Sequence, residues 1–234
     1  QSSRLHVICK DKALQLTINR NNNIFTDSTD SAAIESIVGK TSLSSSVAST
    51  PIEHKEIVQY YTTDWDFIVN RSEINGLVVV TDSGKLTVAK PDVSGSPALH
   101  VQYGYDIIDF DGEIDATHQY SEVQGNAWDM SSQAVISASS SEPSMNQQGD
   151  ISGSTLAKVL SAGTLNLSSN VTIEQEDIKG WTDAALLRSR LSRFRGTLTF
   201  QGSTLAKVNS TIKLDGLGNR FNGNAFISGV IHSI

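Results

Sequence analysis

Cysteine is nearly absent from this sequence: Cys9 stands alone among 234 residues. A disulfide framework within the chain is therefore impossible. Leu5, Val7 and Cys9 alternate with polar residues, a pattern that predicts a strand and a buried, inert thiol. No apolar run approaches the roughly 18 residues of a membrane-spanning helix, and no signal peptide is recognisable. Basic charge is scarce too. Lysine and arginine number 18 against 25 aspartates and glutamates, for a formal net charge of -7. Phosphate-backbone binding needs a concentrated basic face, so nucleic acid is not an expected partner. Hydrophobic residues at 38% and charged residues at 18% are both low for one compact core. Serine, threonine, asparagine and glycine fill the gap, which predicts many turns and strands with polar faces.

Convergent chemistry is missing as well. The five histidines, His6, His54, His100, His118 and His232, are scattered singly. None has an HExxH partner or a cysteine at ligand spacing. His6, His100 and His232 fall in strand-like patterns and read as packing residues. There is no G-x-S-x-G elbow and no Walker A sequence, and Gly216-Leu217-Gly218 lacks the third glycine of a dinucleotide loop. The acidic run Asp106, Asp109, Asp111, Glu113 and Asp115 fails as a calcium loop. Counted from Asp109, its sixth position is Ile114 where a glycine is required. At period two, Asp109, Asp111, Glu113 and Asp115 share one face of a strand turned to solvent or to a neighbouring subunit. Arg188, Arg190, Arg193 and Arg195 read as the basic end of a helix, forming salt bridges within the protein or to a neighbour's acidic strand. No catalytic, cofactor-binding or metal-binding residue is assigned, no cofactor is expected, and the protein is not expected to be an enzyme.

What the sequence does hold is punctuation. In Thr63–Asp92, Thr63 and Asp66 form a capping-box-like pair, and Asp64 and Asp66 suit the positive end of a helix dipole. Trp65, Ile68 and Val69 mark the buried face, with Arg71, Glu73 and Asn75 left to solvent. Gly76 is placed as a left-handed helix stop. Leu77–Thr81 and Leu86–Ala89 then flank Asp82-Ser83-Gly84-Lys85, a hairpin turn. Before this unit, Arg4–Ile18 predicts a hairpin, Asn19–Asn23 a polar break, and Asp30 the cap of a short helix closed by Gly39. Residues 41–51 read as a loop, and Val58, Tyr60 and Trp65 as one small core. Pro91–Pro97 reads as a linker.

Beyond it the chain becomes β-dominated, with strands expected around Leu99–Tyr103, Ile107–Ile114, Val123–Trp128 and Ala134–Ala138. An irregular stretch follows, with a short helical patch at Leu156–Leu160. A long helix is expected from about Ile173 to Arg195, or from Gly180, a poor helix former, with an apolar stripe of Trp181, Ala184, Leu187, Leu191 and Phe194. Three closing strands follow at Thr197–Gln201, Thr211–Leu214 and Ala225–Ile234. The heptapeptide GSTLAKV occurs at both Gly153–Val159 and Gly202–Val208. The likeness does not extend into the flanks, so it reads as coincidence.

The string DWDFIVNRSEINGLVVV…DSGKLTV…KPD resembles the hub region of VgrG-like (Rhs-element Vgr) spike proteins of type VI secretion and related contractile injection systems. That region is itself similar to contractile-phage baseplate hubs. YGYDIIDFDGEIDA, VQGNAWD, ALLRSRLSRFRGTLTFQG and LGNRFNGNAFISGVIHSI extend the resemblance over nearly the whole chain. It implies an α+β, mostly β fold of tube-like barrel domains. Residues 1–27 would end a first barrel, 28–97 would be a helix–hairpin insertion, and 98–234 a second barrel with an irregular insertion at about 139–172. It implies a structural hub of a homotrimeric cell-puncturing spike, seated on a hexameric Hcp-like tail tube among baseplate proteins, with effectors as cargo. A membrane enters only as the pierced target. Such a protein is made in the bacterial cytoplasm and leaves it on contraction. Because the chain opens on Gln1 and stops where an OB-fold follows in such proteins, a piece of something longer is expected. The rival readings are a carbohydrate- or surface-binding β-module, for which Trp65, Trp128 and Trp181 look too buried, and a phage-like hydrolase.

Overall fold

The computed structural model describes residues 5–130, 132–169 and 173–233. The fold is α+β and mostly β, with four α-helices and thirteen strands among the described residues. The strands form five sheets of two or three members, and none of these closes on itself. The chain divides into two compact units. One holds the residues up to Glu73 together with Leu77–Lys90; the other holds Ile74–Gly76 and the residues from Pro91 onward.

In the first unit, β1 (Arg20–Thr29) and β3 (Glu53–Thr63) form an antiparallel ribbon in which Ile24 faces Val58 and Phe25 faces Ile57. It runs across the boundary expected between residues 27 and 28. Alternation turns Phe25, Ile57 and Gln59 inward, where Phe25 stacks on Phe67 with ring centroids 5.8 Å apart. Ile24, Val58 and Tyr60 point outward, with Val58 52% and Tyr60 82% exposed. The expected core of Val58 and Tyr60 is thus off by one residue, and such a slip moves every side chain to the other face. The expected polar break at Asn19–Asn23 is also strand from Arg20 onward. A bulge between Asn21 and Asn23 frees the Asn22 carboxamide to accept the Tyr61 N–H at 2.8 Å, and Asn23 donates to Gln59 at 2.6 Å.

Against this ribbon lie two helices. In α1 (Asp30–Val38), Ala33, Ile34, Ile37 and Val38 are buried. Its cap is Thr29, whose hydroxyl accepts the Ala32 N–H at 3.2 Å, and not Asp30. Asp30 is instead buried in the first turn and bonded to Arg71, so Arg71 is not the solvent residue expected. In α2 (Asp64–Ile74), the Thr63 hydroxyl accepts the Asp66 N–H at 3.0 Å and donates to the Asp66 carboxylate at 2.7 Å. Gly76 stands at φ 66°, and the Leu77 N–H reaches back to the Ser72 carbonyl at 2.9 Å, closing a Schellman end. Phe67 and Ile68 carry the burial, with Trp65 packed partly against them.

The hairpin of β4 (Val78–Asp82) and β5 (Lys85–Ala89) follows, turned by Ser83 and Gly84 at φ 52° and 78°, a type I′ geometry. Inside the expected loop at 41–51, β2 (Ser44–Val47) pairs in parallel with β5. The expected opening hairpin is absent. Arg4 lies outside the described residues, Leu5–Lys10 is exposed and without regular structure, and Lys12–Thr17 is a 3-10 helix. Ala13 and Leu16 are its buried residues, three apart, which suits a three-residue turn and not a strand. Asp11 holds both this turn and the hairpin, accepting from Ala13 N at 2.8 Å and from Gly84 N at 3.0 Å. Cys9 is exposed, contrary to the expected burial, because no strand forms around it.

The second unit contains three small sheets. β6 (Leu99–Gln102) runs parallel to β12 (Thr211–Asp215), which pairs antiparallel with β13 (Gly223–Phe226). β7 (Ile107–Ile114) pairs antiparallel with β11 (Phe194–Phe200). β8 (Glu122–Asp129) lies between antiparallel β9 (Ala134–Ser139) and parallel β10 (Thr164–Ser169). Val101, Ile107, Ile212 and Leu214 form a core shared by the first two sheets. The expected irregular stretch at 139–172 contains α3 (Gly153–Val159) and β10; residues 170–172 lie outside the description. The last strand stops at Phe226, short of the expected end at Ile234, itself outside the described residues.

α4 (Gln175–Leu191) packs on β8 and β9. Its buried line is Ile178, Thr182, Leu186 and Arg190, spaced by four, with Ala184 and Ser189 beside it. Trp181, Leu187 and Leu191 of the expected stripe are only half buried. The helix can come this close because β8 offers Gly125. A Cβ there would fall 2.4 Å from Ile178 Cγ2 and 2.9 Å from Thr182 Cγ2.

Candidate functional site

The two charged features singled out by sequence meet on the β7–β11 ribbon and at the end of α4. On β7, Asp109, Asp111 and Glu113 are exposed and alternate with partly buried Phe110, Gly112 and Ile114. The apolar side carries an aromatic cluster. Phe221 meets Phe110 edge-on at 5.2 Å and Phe194 at 5.9 Å. Gly112 and Gly196 face each other across the ribbon, and a Cβ on Gly112 would strike Phe110 at 2.5 Å. The strand therefore presents one acidic face to solvent and one aromatic face to its own unit.

Asp115, just past β7, is the best-held carboxylate of the run. It accepts from the Thr117 N–H at 2.8 Å and from the Thr117 hydroxyl, and lies 2.6 Å from His118 Nδ1 and 3.5 Å from Arg195. The Thr117 hydroxyl first, and then His118, hold its carboxyl well below the ordinary carboxylate range. These are the bonds of a self-satisfied turn. Among the described residues, no group of three or more histidine, cysteine, aspartate or glutamate side chains is arranged to hold a metal ion.

Arg195 with Asp115 and Arg190 with Glu142 form internal salt bridges of the kind expected. Arg190 grips Glu142 through Nε at 2.7 Å and Nη2 at 2.8 Å and donates to the Tyr120 carbonyl at 3.0 Å. Arg193 donates to the Gln148 carbonyl at 3.1 Å and lies over the Phe194 ring at 4.6 Å. The near-complete burial of Arg190 was not legible, because its partner sits 48 positions away in a segment without periodicity.

The histidines stay apart. His54 is 3.5 Å from the buried Asp30 carboxylate, His100 is 3.4 Å from Asp215, and His118 belongs to the Asp115 turn. His6, His100 and His232 are exposed, so they are not the packing residues expected, and only His100 lies on a strand. Asp64 and Asp66 serve α2: Asp66 in the cap, and Asp64 accepting from Asn21 at 3.0 Å and Gln59 at 2.8 Å. Of the tryptophans expected to be buried, Trp128 is 49% exposed, opposite Val135.

What the surface does offer is strand edges and apolar side chains. Ile24, Val58 and Tyr60 stand on the outer face of the β1–β3 ribbon, and Trp128 and Val135 on the outer face of β8–β9.

No curated protein matches this sequence. The fold does have solved counterparts. The 43 kDa tail protein of prophage MuSo2 from Shewanella oneidensis is similar with a TM-score of 0.64 at 12% identity, covering 87% of this chain and 62% of that one. The tail protein from Neisseria meningitidis MC58 is similar with a TM-score of 0.61 at 16% identity, covering 86% of this chain and 61% of that one. The chain thus spans less than two thirds of either relative's length, and at these identities the likeness establishes a shared fold. A family described as the Alg8 N-terminal domain matches residues 1–234, and on that full-length match the chain belongs to the Alg8 N-terminal domain family.

Proposed function

We propose that this chain is a structural, non-enzymatic component of a phage-tail-like contractile machine, forming part of the hub of its spike. The observation that carries the reading is the fold shared with two phage tail proteins over more than four fifths of the chain. The finer assignment, to a VgrG-like hub, rests on the sequence resemblance of DWDFIVNRSEINGLVVV and the segments that follow it. On this reading three copies assemble around an axis, each contributing tube-like barrel elements. The ring seats the spike on a hexameric tail tube, and contraction carries it out of the bacterial cytoplasm and through a target membrane.

The small open sheets are consistent with this role. A ribbon of two strands is marginal alone and gains stability when its edges or faces are covered. The outer faces holding Ile24, Val58 and Tyr60, or Trp128 and Val135, are the places where a neighbouring copy would supply that cover. The test is solution mass by light scattering across a concentration series, with and without a hexameric tail-tube protein. A trimer that binds the tube protein supports the proposal. A chain that stays monomeric at the highest concentration and ignores the tube protein overturns it.

A further inference from the structure

Asp215 ends β12, and Gly216 begins the turn that leads to β13. The Gly216 N–H donates to the carboxylate of the residue just before it, 3.2 Å from Asp215 Oδ1. The other oxygen, Oδ2, lies 3.4 Å from His100 Nε2 on β6 and 4.0 Å from Lys213 Nζ. The Asp215 carbonyl accepts the Tyr103 N–H at 2.9 Å, which fixes the peptide that follows it. Water reaches the site: Gly216 is exposed, and the His100 and Asp215 side chains are 49% and 42% exposed. Gly216 stands at φ 76°, and a Cβ there would fall 3.1 Å from Tyr103 Cβ. The fold therefore requires glycine here. The same missing side chain leaves the amide nitrogen uncrowded beside the Asp215 carboxyl carbon. Near-attack pairs stand about 3–3.5 Å apart, and only rotations within Asp215 separate this contact from ring closure.

We infer that Asp215-Gly216 is a site of spontaneous covalent modification, where the chain isomerises from aspartyl to isoaspartyl through a cyclic imide, with His100 as proton donor. Water is the only co-reactant. The Gly216 nitrogen bonds to Asp215 Cγ and passes its proton to Oδ1, which already accepts that N–H. The charged His100 imidazole gives a proton to Oδ2, acting as a general acid. One of the two hydroxyls so formed leaves as water with the proton of the other, and a five-membered imide and a neutral imidazole remain. Water then opens the ring. Addition at Cγ restores aspartate. Addition at the Asp215 carbonyl carbon breaks the original peptide bond, leaves a carboxyl there and routes the backbone through Cγ; the proton that this carboxyl sheds recharges His100. The same dipeptide occurs at Asp111-Gly112, in another setting. Asp111 pairs with Thr197 inside the β7–β11 ladder, and a Cβ on Gly196 would collide with its carbonyl. Ring closure there has to pull an extended, closely packed strand out of register. The reaction at Asp215 does not depend on the proposed place in a contractile machine.

Long incubation of the whole chain near body temperature, followed by peptide mapping with electron-transfer fragmentation, tests this. That method tells isoaspartate from aspartate although the two have equal mass. Trypsin cuts after Lys213 and Arg220 and so frees Leu214–Arg220, which separates Asp215 from the Asn75-Gly76 and Asn222-Gly223 dipeptides, whose deamidation changes the mass. In the native protein, isoaspartate is expected to build up at Asp215 several times faster than at Asp111. In urea the two rates are expected to converge, because neither dipeptide is then held by its neighbours. His100→Gln, at an exposed position, is expected to slow the native reaction at Asp215 severalfold and to leave Asp111 unchanged. A native rate at Asp215 no faster than at Asp111, or a ratio of the two rates that is the same in the native protein and in urea, overturns the site. An H100Q chain that folds and isomerises as fast as the wild type overturns the proton transfer from His100.

Discussion

Ile57 and Val58 are neighbours in sequence and opposites in structure, which makes them a sharp test of the β1–β3 register. Ile57 is 4% exposed beneath the ribbon, and Val58 is 52% exposed above it. Truncating Ile57 to alanine removes three buried carbons, worth about 0.8 kcal/mol each. The unfilled space adds to that, for a total of about 3–4 kcal/mol. Truncating Val58 removes two carbons that are already half wet, and its strand preference contributes only a fraction of the scale's span. A loss of under about 1 kcal/mol is expected. Urea unfolding followed by Trp65 fluorescence, in a background where Trp128 and Trp181 are phenylalanine, reads the first unit alone. If Val58→Ala costs as much as Ile57→Ala in a dilute monomer, the register is wrong. The same pair also probes assembly: a Val58→Ala penalty that grows with protein concentration marks the outer face as one that a second copy covers.

The approach of α4 to β8 makes a second test, because Gly125→Val must displace Ile178 and Thr182 or the helix itself. A loss of about 1–3 kcal/mol is expected for such overpacking, read as a lower melting temperature; an unchanged one would show that the helix does not sit this close. Asp115 gives a pH test. Its folded carboxyl titrates below the ordinary value of 3.8, so its contribution to stability is complete above that value and fades as pH falls further. Asp115→Asn is therefore expected to be less stable than the wild type at neutral pH, with the two curves converging under acid; parallel curves from pH 6 to pH 2 would refute the bond set around it.

Local punctuation was the legible part of this chain. Thr63, Gly76 and the Ser83-Gly84 turn act through bonds within a few residues, and each stands where the sequence placed it. Burial was harder to read where both faces of an element carry apolar residues. The run Ile57-Val58-Gln59-Tyr60 admits two registers, and the buried Gln59 amide, bonded to Asn23 and Asp64, goes with the one that looks more polar. α4 is likewise turned so that Thr182 and Arg190 lie inward, since Gly125 and Glu142 accommodate them from distant positions. The repeated heptapeptide shows the limit most plainly. GSTLAKV is helical at Gly153–Val159, where Ser152 caps it at 3.1 Å, and forms turns at Gly202–Val208, where Gln201 precedes it. Seven identical residues do not decide between those states; their flanks and contacts do. As for the candidate site, the arginines were visible from the sequence, whereas the Glu142 partner of Arg190 lies in a segment with no pattern to read.

The parallel pairing of β6 with β12 sets an order on the protein's birth. Leu99 aligns with Ile212 and Val101 with Leu214, so β6 leaves the ribosome about a hundred residues before its partner is made. At roughly 5–20 residues per second, a nascent strand bearing Leu99 and Val101 waits on the order of five to twenty seconds with its edge open. The β4–β5 hairpin of the first unit has no such delay, because its strands are joined by two residues. The first unit can be complete while the second is still an unfinished chain, and it is the second that must be kept from pairing with the wrong strand until its last residues arrive.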